Sequence, residues 1–332
     1  MKIKVLVIGF GFMGQTHAGS LLKMHDAELV GIVDPVDPME RLTAITGNCA
    51  TERISRENLS LIRHYRDMDE ALQKSDADAA IIALPTKLHH DAVIKCLNAN
   101  LHVFVEKPIA VNFAECEHMV QTAAEKGKLL AVGYVVRQMK EYQFLKQTIQ
   151  SGRLGKLKYM KMSRITGVPT WGNWNDPEFI RTSGGALFDL VSHDIDFARF
   201  CLGEPANIES LKDLGGSQFR MISSVLRFGE VDVTVEGGFV TPSSYPFGRV
   251  FTAFFENGTL HSAQPGKVSE YLADKVIDHD FQPDNPYFTE VENFIRALQS
   301  NDPEQLCCSG ADASDSVRCC IQIARAINYP LP

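Results

Sequence analysis

Nowhere in this 332-residue chain does an apolar run approach the roughly 18 residues that a membrane-spanning helix requires, so membrane insertion has no support. No long basic run exists either. Lysine and arginine number 33 against 41 aspartates and glutamates, a formal net charge of −8, which leaves a nucleic-acid role without an electrostatic footprint. The N-terminus passes straight into Lys2–Ile8 without the n-region, long h-region and cleavage site of a secretory signal, and the cytoplasm is the expected compartment. Repeats and low-complexity segments are missing. Among the eight cysteines, Cys307-Cys308 and Cys319-Cys320 are adjacent pairs, and no CxxC spacing occurs that would let two thiolates face one metal ion. Buried or half-buried free thiols are therefore expected, and no metal site.

What is present is ordinary in bulk. Hydrophobic residues make up 45% and charged residues 22%, in a length that accommodates two domains. Strands and helices alternate through residue 133: apolar strands at Lys4–Ile8, Glu28–Val33, Ala79–Ala83, His102–Val105 and Leu129–Gly133 are separated by helical stretches. That pattern predicts a doubly wound α/β unit with a parallel sheet covered on both faces. Beyond residue 133 the strands lengthen and alternate. Val231, Val233 and Val235 are interleaved with Asp232, Thr234 and Glu236, the period of a sheet with one buried face. Residues 134–332 are thus expected to form an α+β domain around a large, mostly antiparallel open sheet, with a final helix, Ala311–Ile327, packing back on domain 1–133.

Gly9-Phe10-Gly11-Phe12-Met13-Gly14 fits GxGxxG, a weak signal alone. Here it follows a predicted strand, opens a helix, and has an acidic residue, Asp34, 20 residues beyond Gly14. Gly9 permits the turn, Gly11 lets the backbone approach a pyrophosphate, and Gly14 lets the helix pack on the strand. The helix N-terminus offers free N–H groups to phosphate. A carboxylate at Asp34 can accept both adenosine-ribose hydroxyls and repels a 2′-phosphate, so the expected cofactor is NAD rather than NADP. Further cofactor contacts are expected at strand ends, from Leu84, Pro85 and Thr86 with His89 close by, and from Glu106 and Lys107.

Lys107 lies at the carboxyl end of a buried parallel strand, where an ammonium can stabilise an oxygen that gains charge as hydride leaves. Taken alone, a strand-end lysine is more often a solvated surface charge. In Gly184-Gly185-Ala186-Leu187-Phe188-Asp189-Leu190-Val191-Ser192-His193, a helix from Leu187 would put Asp189 and His193 on one face at i,i+4, with Asp196 at its edge. A carboxylate one turn from an imidazole suits a general base for an alcohol. An ordinary helix with its polar groups satisfied locally is the competing reading.

Together these residues resemble the Gfo/Idh/MocA family, the glucose–fructose oxidoreductase and inositol dehydrogenase group. The resemblance rests on Gly9–Gly14 with His17, Asp34, Ala83–Thr86 with His89, Glu106-Lys107-Pro108, and the segment from Gly184 to Asp196. It implies a Rossmann domain followed by a sheet domain used for homodimer or homotetramer contacts, and a cis Lys107–Pro108 peptide. It makes Lys107, Asp189 and His193 the catalytic triad of an NAD-dependent dehydrogenase acting on a secondary alcohol of a sugar, inositol or related polyol. Arg137 falls where members carry a site-lining arginine. Ala186 departs from the third glycine often found after Gly185, and the polar stretch Gly47–Arg63 exceeds the usual connection. Trp171, Trp174 and Tyr245 sit in loop-like sequence and could wall a sugar-sized pocket or pack in a core. Two other functions fit the same fold: a non-catalytic NAD-binding sensor, and an enzyme that oxidises and re-reduces its substrate with a retained cofactor.

Overall fold

Six short runs of β-formers build the first sheet: β1 (Ile3–Ile8), β2 (Ala27–Val33), β3 (His64–Tyr65), β4 (Ala79–Ile82), β5 (His102–Val105) and β6 (Leu130–Val132). The computed structural model describes residues 2–42, 54–167, 169, 173–213, 221–282 and 284–331. Strand order is β3-β2-β1-β4-β5-β6, all pairs parallel. Val5, Leu6, Val7 and Ile81 have no exposed surface, as a sheet covered on both faces demands. Chain direction along the sheet reverses between β1 and β4, so their carboxyl ends border the crevice where doubly wound sheets bind ligands. β3 was not anticipated; two residues are too few to show a period. Much of the polar stretch Gly47–Arg63 lies outside the described residues, and its end forms a short helix, Arg56–Ser60.

The chain divides into two units. One joins Met1–Val135 to Asn285–Ser314, and the other joins Val136–Asp284 to Asp315–Pro332. Helix Pro286–Ser300 therefore belongs with the first sheet. Asn285 caps it by accepting the Phe288 amide at 3.2 Å, and Pro286 takes a first-turn position whose N–H would be unpaired anyway. Its Val291, Phe294 and Ile295 enter the core that contains Phe10 and Phe104. The last helix, Gly310–Ala326, begins in the first unit and continues in the second.

The second unit carries β7 (Leu157–Gly167), β8 (Asn207–Asp213), β9 (Met221–Phe228), β10 (Val231–Thr241), β11 (Gly248–Phe255), β12 (Gly258–Gln264), β13 (Lys267–Tyr271) and β14 (Val276–Asp280). Their order is β14-β13-β12-β11-β7-β10-β9-β8, and only the central β7–β10 pair is parallel. β9 alternates half-buried and buried residues along its whole length. Hairpins turn at Gly229 and at Glu256-Asn257. Gly237 in β10 meets a packing requirement. A Cβ there would stand 2.7 Å from Val191 Cγ2, so a glycine is what lets the Leu187–Val191 turn lie against the strand.

Candidate active site

Backbone geometry shapes the first part of the site. Gly9 has φ of +90°, and a Cβ on it would meet the Ala83 carbonyl oxygen at 2.6 Å. On Gly14 a Cβ would be 2.0 Å from the Gly9 carbonyl oxygen, so helix Phe12–Leu21 can approach the turn only without a side chain there. Gly11 is different: nothing lies within 4 Å of its Cβ position. It is the N-cap of that helix, no side chain caps it, and no acidic residue stands in the first turn. Phe12 and Met13 are half-buried beside it, while Phe10 is buried. An uncapped N-terminus behind a glycine with open space fits a pyrophosphate.

Asp34, buried at the end of β2, secures the same turn. Its Oδ2 accepts from the Phe10 amide at 2.8 Å, and its Oδ1 accepts from the Val36 amide at 2.9 Å and from Arg41 Nη2 at 3.1 Å. Lone pairs remain for ribose hydroxyls. Arg41, from the short helix Pro38–Arg41, escaped the sequence reading, because nothing marks an arginine seven residues past an aspartate as its partner.

At the β4 end, Ala83 donates to the Ile8 carbonyl at 2.8 Å, Leu84-Pro85 follow, and Thr86 starts a 3₁₀ turn. His89 is buried. Its Nδ1 lies 2.9 Å from the Pro108 carbonyl oxygen and its Nε2 lies 2.8 Å from that of Leu84, so the ring clasps two strand-end loops rather than facing a ligand. Burial lowers its pKa, against the pull of those carbonyls. After β5, the Glu106 amide donates to the Ile82 carbonyl at 3.0 Å, and its carboxylate meets His17 Nε2 at 2.7 Å. Lys107 is half-buried, and the Lys107–Pro108 peptide is cis, as the resemblance implied.

In the second unit the segment after Ser183 departs from expectation. Gly184 and Gly185 both have positive φ, at 79° and 57°. The first turn, Leu187–Val191, is a π-helix, and α-helix follows only from Ser192 to Leu202. Asp189 and His193 are thus spaced across a π-turn, not an α-helical one; Asp189 is half-buried and His193 is buried. π-turns of this kind occur frequently at functional sites. Asp196 does not sit at the edge of that polar face. It is fully buried, with Oδ2 accepting from Arg137 Nε at 2.8 Å, Oδ1 from Arg137 Nη2 at 2.7 Å, and Oδ1 again from Ser316 at 2.9 Å. Arg137, expected to line a substrate pocket, is 3% exposed and held in this pair, with its guanidinium over the Phe200 ring.

A second buried pair, Arg164 with Asp194 at 2.7 Å, flanks His193 and had no sequence signal beyond the charges themselves. Trp171 lies outside the described residues. Trp174 packs edge-on against Phe179 and Phe239, and Tyr245 is exposed in the turn after Pro242. The adjacent cysteines 307, 308, 319 and 320 are all buried and unbridged. Among the described residues, no helix is long and apolar enough to cross a membrane.

A parallel sheet of order β3-β2-β1-β4-β5-β6 with its glycine turn defines a dinucleotide-binding domain of the Rossmann class. Residues 3–134 match an oxidoreductase family with an NAD-binding Rossmann fold, and residues 142–261 match the GFO/IDH/MocA C-terminal domain. The chain belongs to the Gfo/Idh/MocA family. It is 30% identical to the myo-inositol 2-dehydrogenase of Thermotoga maritima, over 93% of this chain and 92% of that protein. It is also 30% identical to the scyllo-inositol 2-dehydrogenase (NAD(+)) of Bacillus subtilis, over 90% and 87%. Among solved structures, UDP-N-acetylglucosamine 3-dehydrogenase from Acidithiobacillus ferrooxidans superposes with a TM-score of 0.80 at 19% identity, covering 99% of each chain, which bears on the fold alone.

Proposed function

We propose that this protein is an NAD-dependent dehydrogenase that oxidises a secondary alcohol of an inositol or a related polyol or sugar, with Lys107, Asp189 and His193 as its catalytic residues. One observation carries the reading: a chain similar along almost its whole length to two inositol 2-dehydrogenases has a lysine after the buried strand β5 and an Asp–His pair across a π-turn. The open side of Gly11, the uncapped helix and Asp34 suit NAD, which supplies the hydride acceptor when bound. Phe10, Phe12, Met13 and the loop Leu84-Pro85-Thr86 border the same crevice. His89 and Glu106 act on it indirectly, by holding the strand-end loops.

His193 takes the hydroxyl proton of the substrate, Asp189 orients or assists it, and the Lys107 ammonium stabilises the oxygen as charge develops. Arg137, locked on Asp196, supports the His193 helix from behind. The exposed Phe254, Tyr271 and Val276 on the strands of the second sheet support self-association into a homodimer or homotetramer. Purified protein should reduce NAD with at least one member of a panel of inositols, acyclic polyols and aldoses; no turnover across the panel removes the substrate class. Fluorescence titration should show tighter binding of NADH than of NADPH, and equal or reversed affinity removes the role given to Asp34.

A further inference from the structure

His17, Glu106 and Glu290 meet inside the first unit, one from helix Phe12–Leu21, one just past β5 and one from helix Pro286–Ser300. One ligand-capable atom of each lies within 4.8 Å of the other two, and all three residues are buried. Two of them are engaged: His17 Nε2 lies 2.7 Å from Glu106 Oε1, and Glu106 Oε2 accepts the Lys107 amide at 3.2 Å. Glu290 is not. Neither of its carboxyl oxygens has a hydrogen-bond partner, and the residue is only 1% exposed. The Phe104 ring stands edge-on to His17 at 5.4 Å and beside Phe294 at 5.9 Å, so apolar groups wall the cluster.

We propose that Glu290 is a positioning residue that stands protonated beside the His17–Glu106 pair and, through Glu106, fixes the main chain at Lys107. This rests on the reading of Lys107 as a catalytic group. A second bare carboxylate there would be desolvated next to the charge of Glu106. The groups facing Glu290 are His17 from its helix, and Glu106 and Lys107 from the end of β5. Burial, then the Glu106 charge, pushes the Glu290 carboxyl well above the usual carboxylate range, and Lys107 opposes this only in part. Two carboxylates and an imidazole are also a donor set for a divalent cation. His17 Nε2 and Glu106 Oε1 are already turned to each other, which favours the proton.

A neutral carboxyl and an amide are near equivalents, so Glu290→Gln separates the two cases. Above the ordinary value of 4.5 the unfolded chain ionises Glu290 while the folded chain does not, so this residue's share of stability falls as pH rises. The melting temperature of E290Q should therefore equal or exceed that of the parent protein, with the margin widening from about pH 5 to about pH 8. The infrared band of a protonated carboxyl, present in the parent protein, should be absent from E290Q. With substrate, E290Q should keep kcat within about threefold, whereas Glu290→Leu should lose at least about tenfold in kcat with little change in KM. A margin that shrinks with pH, no carboxyl band lost in E290Q, or a stoichiometric divalent metal that leaves with the substitution would overturn the proposal. The melting and infrared readouts need no substrate, so their failure is distinct from failure of the dehydrogenase reading.

Discussion

The glycine turn of the first unit and the Gly184–His193 segment of the second are built by opposite means. At the turn the main chain does the shaping: Gly9 and Gly14 hold it by having no side chain where a Cβ would meet a carbonyl oxygen at 2.6 Å and 2.0 Å. Around His193 the shaping falls to charged side chains buried in pairs, Arg137 with Asp196 and Arg164 with Asp194, joined across 59 and 30 residues of sequence. The first device shapes a turn through local backbone, and the second fixes a polar group inside an apolar unit by long-range compensation. Loss of a partner should therefore do more damage in the second unit than loss of a surface charge anywhere.

The largest expected effect comes from that contrast. Asp196→Ala strands the Arg137 guanidinium without its carboxylate and should lower the free energy of unfolding by about 3–5 kcal/mol in a denaturant titration. The double variant Arg137→Met, Asp196→Leu should recover much of it, since burying neither charge is close to neutral. Unchanged stability with a raised KM would instead make Arg137 a substrate ligand, and the contrast would fail. Next in size, Lys107→Ala and His193→Ala should each reduce kcat by at least about 10²-fold, near 2.7 kcal/mol in barrier, with NADH binding largely intact. Gly14→Ala should do the reverse and lose NADH binding first. If both catalytic variants turn over normally, the assignment is wrong.

The same contrast explains what could be read in advance. The parallel sheet, the turn and its acidic residue were legible because its strands are continuous apolar runs and because Gly9, Gly11, Gly14 and Asp34 act through their own backbone and near neighbours. The sheet domain was legible through the alternation in β9 and β10. Strands β12, β13 and β14 were not foreseen, being five to seven residues each and bounded by turns that resemble loops. The π-turn escaped because hydrophobic spacing does not distinguish it from the α-helix that continues it. Arg41, Glu290 and the partners of Asp196 and Asp194 escaped for one reason: which charge neutralises which is decided by packing between distant segments, and sequence offers only the list of charges. Grouping Asn285–Ser314 with the first unit belongs to the same category, since Phe294 finds Phe104 across 190 residues (294 − 104).

The smallest effect sharpens the contrast by asking how much a half-buried, titrating side chain contributes in the first unit. His102 opens β5, the strand that ends at Glu106, and its Nδ1 accepts the Leu129 amide at 3.0 Å. Burial, with help from the Lys128 charge, lowers its pKa from the ordinary 6.5 to about 4. Between those values the unfolded chain binds a proton that the folded chain refuses, so this share of stability is whole above about pH 6.5 and drains away as pH falls toward 4. Full conversion of that shift would exceed 3 kcal/mol, but the side chain is half-buried and water screens it, so about 1–2 kcal/mol is expected. Glutamine can accept the same amide without titrating. His102→Gln should therefore match the parent protein at neutral pH and flatten its acid slope in this window, as followed by denaturation at a series of pH values. An unaltered slope would place the acid sensitivity elsewhere.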